Sequence, residues 1–287
     1  MEFYLTALML GLCLSAMGLG IFISMKIFNI PDITTDGSYT LGAVITAILL
    51  TAHWNAAVVI PVVLVSGAIA GTLTGLIHTR LKIDALLAGI LVMTGLYSIN
   101  LTILGRSNVP LLDVADLFSG LKIFAVPVYN NLAIGIIFIV IITLIVGYVL
   151  RTDFGIAMRA TGNSASMTRA LGINNNKMKI IGLAIANSLT ALSGYLVAQY
   201  QSFTDINMGI GIVITGLGSV LIGEAMIKWW NISSIVWQLV VIICGSILFQ
   251  MVLAFTLSIG VDPNMLKLVT ASFVLLIVII PRLKKND

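Results

Sequence analysis

About nine apolar stretches, each near the length of a membrane-crossing helix, follow one another from residue 4 to residue 280 with no long polar interval. A hydrocarbon core about 30 Å thick takes roughly 20 helical residues to cross. The stretches are 4–24, 38–53, 56–77, 85–104, 131–150, 180–200, 208–227, 232–258 and 266–280. A membrane barrel would instead show alternating segments of about ten residues, whereas these runs are apolar on every side. The expected fold is all-α and polytopic, one transmembrane domain over residues 1–287 with no separate soluble lobe. Composition agrees, at 59% hydrophobic and 9% charged residues, against roughly 45–50% and about 25% in soluble domains. Acidic Glu2 precedes the first stretch, and no basic leader or small-residue cleavage site accompanies it, so it reads as a retained helix. Cys13 and Cys244 lie inside apolar runs and read as small hydrophobes, without a disulfide.

An odd number of crossings puts the termini on opposite sides, and the distribution of basic residues chooses between them. With the N-terminus outside, Lys26, Arg80, Lys82, Arg151, Arg159, Arg169, Lys177, Lys179, Lys228, Arg282, Lys284 and Lys285 face inward. That leaves only Arg106, Lys122 and Lys267 of the 15 basic residues outside, beside Asp113, Asp116, Asp205 and Asp262. The expected orientation is N-out, C-in. It accounts for the net charge of +4 without a nucleic-acid partner, since no basic cluster is interleaved with aromatics.

Two connections are long. The outer one, 105–130, holds Pro110, Pro127 and an apolar patch at 117–124; a plain loop is the preferred reading, a short interfacial helix the other. The inner one, 151–179, carries helix punctuation. Asn163 or Ser164 can cap a helix start, and Gly172 can take the left-handed position that ends one. Between them Met167, Ala170 and Leu171 share a face and Arg169 points elsewhere. So short a helix is marginal alone and implies docking; an ordinary basic loop is the alternative.

The run Arg159-Ala160-Thr161-Gly162-Asn163, then Arg169-Ala170-Leu171-Gly172-Ile173-Asn174, then Lys177-Met178-Lys179, resembles the coupling loop of ABC-importer permeases of the branched-chain amino acid and ribose type. The segment from Pro31 to Gly42 is similar to the one opening that family's second core helix, and Gly216–Glu224 fills the place of its late glycine-rich motif. The resemblance implies a permease subunit of the bacterial cytoplasmic (inner) membrane, a homodimer surrounded by lipid. Its coupling residues would be Arg159, Ala160, Thr161, Gly162, Asn163, Met167, Arg169, Leu171 and Gly172, seated on a cytoplasmic ABC ATPase subunit. An extracellular solute-binding protein would deliver cargo. The chain lacks a Gly-x-x-x-x-Gly-Lys-Ser/Thr motif, so ATP and magnesium belong to the partner, and this chain is expected to bind no cofactor and to be no enzyme.

Between Lys26 and Leu41 the chain is too polar and interrupted for a lipid-facing helix. Irregular backbone at membrane depth needs protein or a water-filled cavity around it. Asp32, Thr34, Thr35, Asp36 and Ser38 are therefore expected to line the solute path at a broken second helix, with Ser38 as its cap and the helix end receiving a cargo carboxylate. The alternative is a plain inner loop. Tyr97 and Asn100 on the fourth helix either join the path or bond to other helices, as do Asn187, Ser188, Thr190 and Ser193 on the sixth. Gly67, Gly71 and Gly75 repeat at every fourth residue and read as helix packing; Glu224 and Lys228 read as a pair one turn apart. His53 and His78 have no partner at metal-ligand spacing, so no metal site is expected.

The expected cargo is a small polar solute, an amino acid before a sugar or nucleoside. An ion-coupled secondary transporter is the runner-up, disfavoured because no acid lies at a helix centre. A membrane enzyme would need a nucleophile and base, or a metal constellation, that the sequence does not contain.

Overall fold

A computed structural model describes residues 2–112, 114, 117–120, 124–262 and 265–283. Of the charges used to orient the chain, Asp113, Asp116, Lys122, Lys284 and Lys285 lie outside them, as do 121–123 of the outer apolar patch. The chain is helical because a backbone in hydrocarbon must satisfy its own N–H and C=O groups. In order the helices are α1 (Glu2–Ile21), α2 (Thr34–Thr51), α3 (Ala56–Arg80), α4 (Ala85–Leu104), α5 (Leu117–Gly120), α6 (Pro127–Arg151), α7 (Asp153–Asn163), α8 (Ala165–Ala170), α9 (Asn175–Gln201), α10 (Ile212–Trp229), α11 (Ile235–Ser258) and α12 (Leu266–Leu283).

Among the described residues, seven helices are long and apolar enough to cross a bilayer, where nine were expected. The other two are α2 and α12. Polar residues fill the first turns of α2, which is nonetheless buried along most of its length; surrounded by protein, it needs no lipid-facing apolarity. Helix α12 runs from Leu266 to Leu283, and its described side chains cover an apolar stretch, Leu266–Ile277. The all-α expectation also missed two strands, β1 (Asn108–Pro110) and β2 (Phe203–Asp205), which pair antiparallel with Val109 opposite Thr204. In the outer patch, Leu117–Gly120 does form one helical turn.

Helix α9 is the central element, packed on α3, α2 and α1, while α1 also supports α11 and α11 supports α10. Glycine makes the α3–α9 contact close: a Cβ at Gly67, Gly71 or Gly75 would meet the α9 backbone at Asn187, Leu183 and Ile180 respectively. Small residues at such a seam let dispersion forces act between backbones where no hydrophobic effect operates. Helix α1 continues into a π-helical turn, Phe22–Ile27, and the chain then runs without regular structure from 28 to 33, turning through Asn29 at φ 55°. The irregular backbone thus separates α1 from α2. The expected break within the second helix is replaced by an elbow before it, and α2 itself is continuous.

Candidate solute cavity and coupling segment

Asp32 closes the elbow. Its Oδ1 accepts the backbone N–H of Thr34 at 2.9 Å, capping α2 in place of Ser38, and its Oδ2 accepts Asn187 Nδ2 of α9 at 2.7 Å. Ser38 lies a full turn inside α2 and donates to Asn187 Oδ1 at 2.7 Å. The hydroxyls of Thr34 and Thr74 meet at 2.7 Å, and Thr35 Oγ1 donates to the carbonyl of Asp32 at 3.2 Å. All of these side chains are buried. Asp32, Thr34, Thr35 and Ser38 form a closed knot between α2, α3 and α9, and the helix end expected to receive a cargo carboxylate is occupied by Asp32. Asn187 was grouped with the polar residues of its helix, but its part in this knot was not foreseen.

Asp36 points elsewhere. One turn beyond Asp32, it accepts the backbone N–H of Gly211 at 2.8 Å and that of Val213 at 2.9 Å, so a carboxylate of α2 caps α10. Helix α10 has no cap from its own N-cap residue, Gly211, which sits at φ 80°, a backbone that favours glycine. The sequence signal was a glycine-rich helix start lacking Ser, Thr, Asp or Asn; the identity of the remote donor was not local information.

Beside Asp36 lies a cavity of about 280 Å³, lined by Asp36 and Thr40 of α2, Tyr97 and Asn100 of α4, and Ile206 and Gly209 of the turn that precedes α10. Three of the seven residues assigned to the solute path from sequence therefore share one space. Asn100 is 1% exposed. Its Nδ2 donates to the carbonyl of Gly37 at 3.2 Å, and its Oδ1 has no partner. A buried acceptor left unmade costs about 1–3 kcal/mol.

The inner connection is almost wholly helical. Thr152 caps α7 through Gly155 N at 3.4 Å, and Ser164, not Asn163, caps α8 through Met167 N at 3.4 Å. Helix α8 ends with Gly172 at φ 80°, where Ile173 N donates to Thr168 O at 3.0 Å and Gly172 N to Arg169 O at 3.1 Å, the paired bonds of a Schellman ending. Two side chains that the sequence did not single out tether α8 to α9: Thr168 donates to Asn175 Oδ1 at 2.8 Å, and Asn175 Nδ2 donates to Ala165 O at 2.6 Å. The apolar face expected to dock finds no cover among the described residues, with Met167 65% and Leu171 68% exposed. Arg169 and Asn163 are exposed too, Ala160 is half-buried and Thr161 is buried. Arg159 is half-buried with its Nε unpartnered.

Gly162 joins this segment to the elbow. A Cβ there would meet the carbonyl oxygen of Ile27, and Asn29 Nδ2 donates to Gly162 O at 3.3 Å. The next elbow residue, Phe28, lays its ring against Gly182 of α9. Close by in the chain, Lys26 Nζ lies 3.4 Å from Glu224 Oε2; the expected pairing of Glu224 with Lys228 gives way to this one, because α1 and α10 pack together. Both partners keep access to solvent, so the pair contributes little to stability.

The family model described as "Branched-chain amino acid transport system / permease component" matches residues 3–280. The tyrosine transport system permease protein of Clostridioides difficile is 40% identical over 91% of this chain and 85% of its own length. An uncharacterised protein of Rickettsia prowazekii is 32% identical over 100% of both chains. The ribose import permease protein RbsC of Haemophilus influenzae is 28% identical over 67% of this chain and 59% of its own. No solved structure matches.

Proposed function

Because the chain belongs to the branched-chain amino acid transport system permease family and is a multi-pass inner-membrane protein, we propose that it is the membrane subunit of an ATP-driven importer whose cargo is a small polar solute, an amino acid first of all. The tyrosine permease among its relatives supports an amino acid over a sugar by identity, at 40% against 28% for the ribose permease. The observation that carries the reading is the α7–α8 segment. One end is anchored to the elbow through Gly162, while the other presents Met167 and Leu171 on an uncovered face. Such a rod suits a separate cytoplasmic ATPase that holds the nucleotide and magnesium, and the N-out, C-in orientation expected from the basic residues would put it on that side. A solute-binding protein outside and a second copy of the chain complete the assembly, with lipid around it.

Anchor side chains in protein interfaces cost roughly 2 kcal/mol or more when lost. Leu171→Asp is therefore expected to weaken copurification of an ATPase subunit by about thirtyfold or more, and Arg159→Glu to lower uptake, with membrane insertion unchanged in both. Normal uptake and normal ATPase stimulation in both variants would remove the assignment. The buried carboxylate of Asp32 is the one observation favouring an ion-coupled carrier. That reading predicts uptake abolished by ionophores and no associated ATPase.

A further inference from the structure

We propose that the cavity between α2, α4 and the turn at 206–210 is a seat for a protonated amine, formed by the Asp36 carboxylate and the unpartnered Asn100 Oδ1. The proposal rests on the importer reading for the identity of the bearer, the ammonium end of a small cargo, but not for the chemistry of the seat.

That chemistry follows from which donors are already engaged. Thr40 Oγ1 donates to the carbonyl of Asp36 at 3.1 Å, and Thr94 Oγ1, which also lines the cavity, to that of Ile90 at 2.8 Å. Asn100 commits one hydrogen of its amide nitrogen to Gly37 O, and its oxygen is left without a partner. Asp36 accepts one backbone N–H on each oxygen, and a carboxylate has about four lone-pair sites, so acceptor capacity remains on both. Apart from the Tyr97 hydroxyl and the second amide hydrogen of Asn100, the side chains lining the cavity offer acceptors. A ligand group that completes them must bring hydrogens, and one that balances the carboxylate must bring positive charge. No basic residue among those described stands within ion-pair distance of Asp36; Lys267 of α12 acts on it only through space.

Size sets a further limit. About 280 Å³ lies just below the roughly 300–1,000 Å³ of pockets for drug-sized ligands. An ammonium with a short or flat side chain fits; a large glycoside does not.

The preference can be read without knowing the cargo. Thr94→Cys places a thiol in the cavity, and Cys244→Ser removes the exposed native thiol, Cys13 being buried. The purified full chain in detergent is treated with 2-aminoethyl methanethiosulfonate or with the anionic 2-sulfonatoethyl reagent, each rate normalised to a free thiol. The ammonium reagent is expected to react about tenfold faster than the sulfonate, the lower end of what a charged cleft does to encounter rates. Asp36→Asn is expected to abolish that preference, and Asn100→Leu to reduce it while keeping the Asp36 cap on α10; size-exclusion profiles report whether each variant is folded. Equal normalised rates in the Thr94→Cys protein, a preference for the sulfonate, or a preference untouched in a folded Asp36→Asn protein overturns the proposal. Transport is not measured, so these outcomes leave the ATPase reading standing, and an absent ATPase leaves the amine seat standing.

Discussion

Gly162→Val is expected to reduce uptake by about fivefold to a hundredfold at an unchanged level of inserted protein, the magnitude following from the roughly 1–3 kcal/mol that overpacking costs. The α7 backbone at Gly162 lies against the Ile27 carbonyl with no room for a Cβ, so a branched side chain must push the elbow off the α7–α8 segment. What is displaced leads directly to the cavity. Residues 27–29 continue into Asp32, whose carboxylate is bonded to Asn187, and one turn further Asp36 lines the cavity and holds α10. A push on α8 from a nucleotide-hydrolysing neighbour would travel along a contiguous set of bonded and packed groups. Gly162→Ala should show a smaller loss. Uptake at the level of the native protein in Gly162→Val, normalised to inserted chain, would mean that transport does not depend on this contact.

The second large effect is on stability. Asp32→Ala removes two hydrogen bonds to one carboxylate at a site 4% exposed; bonds to charged groups contribute about 1.5–3 kcal/mol each. The loss is expected to be roughly 3–6 kcal/mol, or on the order of 10 °C in the thermal midpoint of the detergent-purified chain. It also strips the cap from α2 and leaves an Asn187 N–H without its acceptor. The exchange of Asp32→Asn together with Asn187→Asp tests the pairing itself. Asn at 32 can still accept from Thr34 and donate to an aspartate at 187, which can accept from Ser38. The double variant should regain at least about half of what Asp32→Asn alone loses, a coupling between neighbours that distant sites do not show. Additive losses would place the stability elsewhere.

Helix punctuation was legible where its parts are neighbours in the chain. Ser164 and Gly172 delimit α8, because caps and Schellman endings use groups within about six residues of one another. The same reasoning misplaced the start of α2. Asp32 and Ser38 both precede apolar residues and both are good caps; packing of Asn187 against the elbow decided that Asp32 caps and Ser38 is buried. It also paired Glu224 with Lys228, four residues away, where α1 brings Lys26 closer. The strands β1 and β2 were invisible, since three residues carry too little periodicity to register.

From sequence alone came the solvent and the element type: a chain this apolar must dissolve in lipid, and in lipid the backbone must bond to itself, which makes helices. The family follows from the same residues. Only the tertiary structure decided which polar residues share a space. Asp32 and Asp36 lie four residues apart on either side of the start of α2, yet one is buried and bonded to Asn187 of α9 while the other faces the cavity and holds a helix 175 residues away in the chain. No local rule separates them, because a side chain's partner is chosen by the surface that folding brings opposite it.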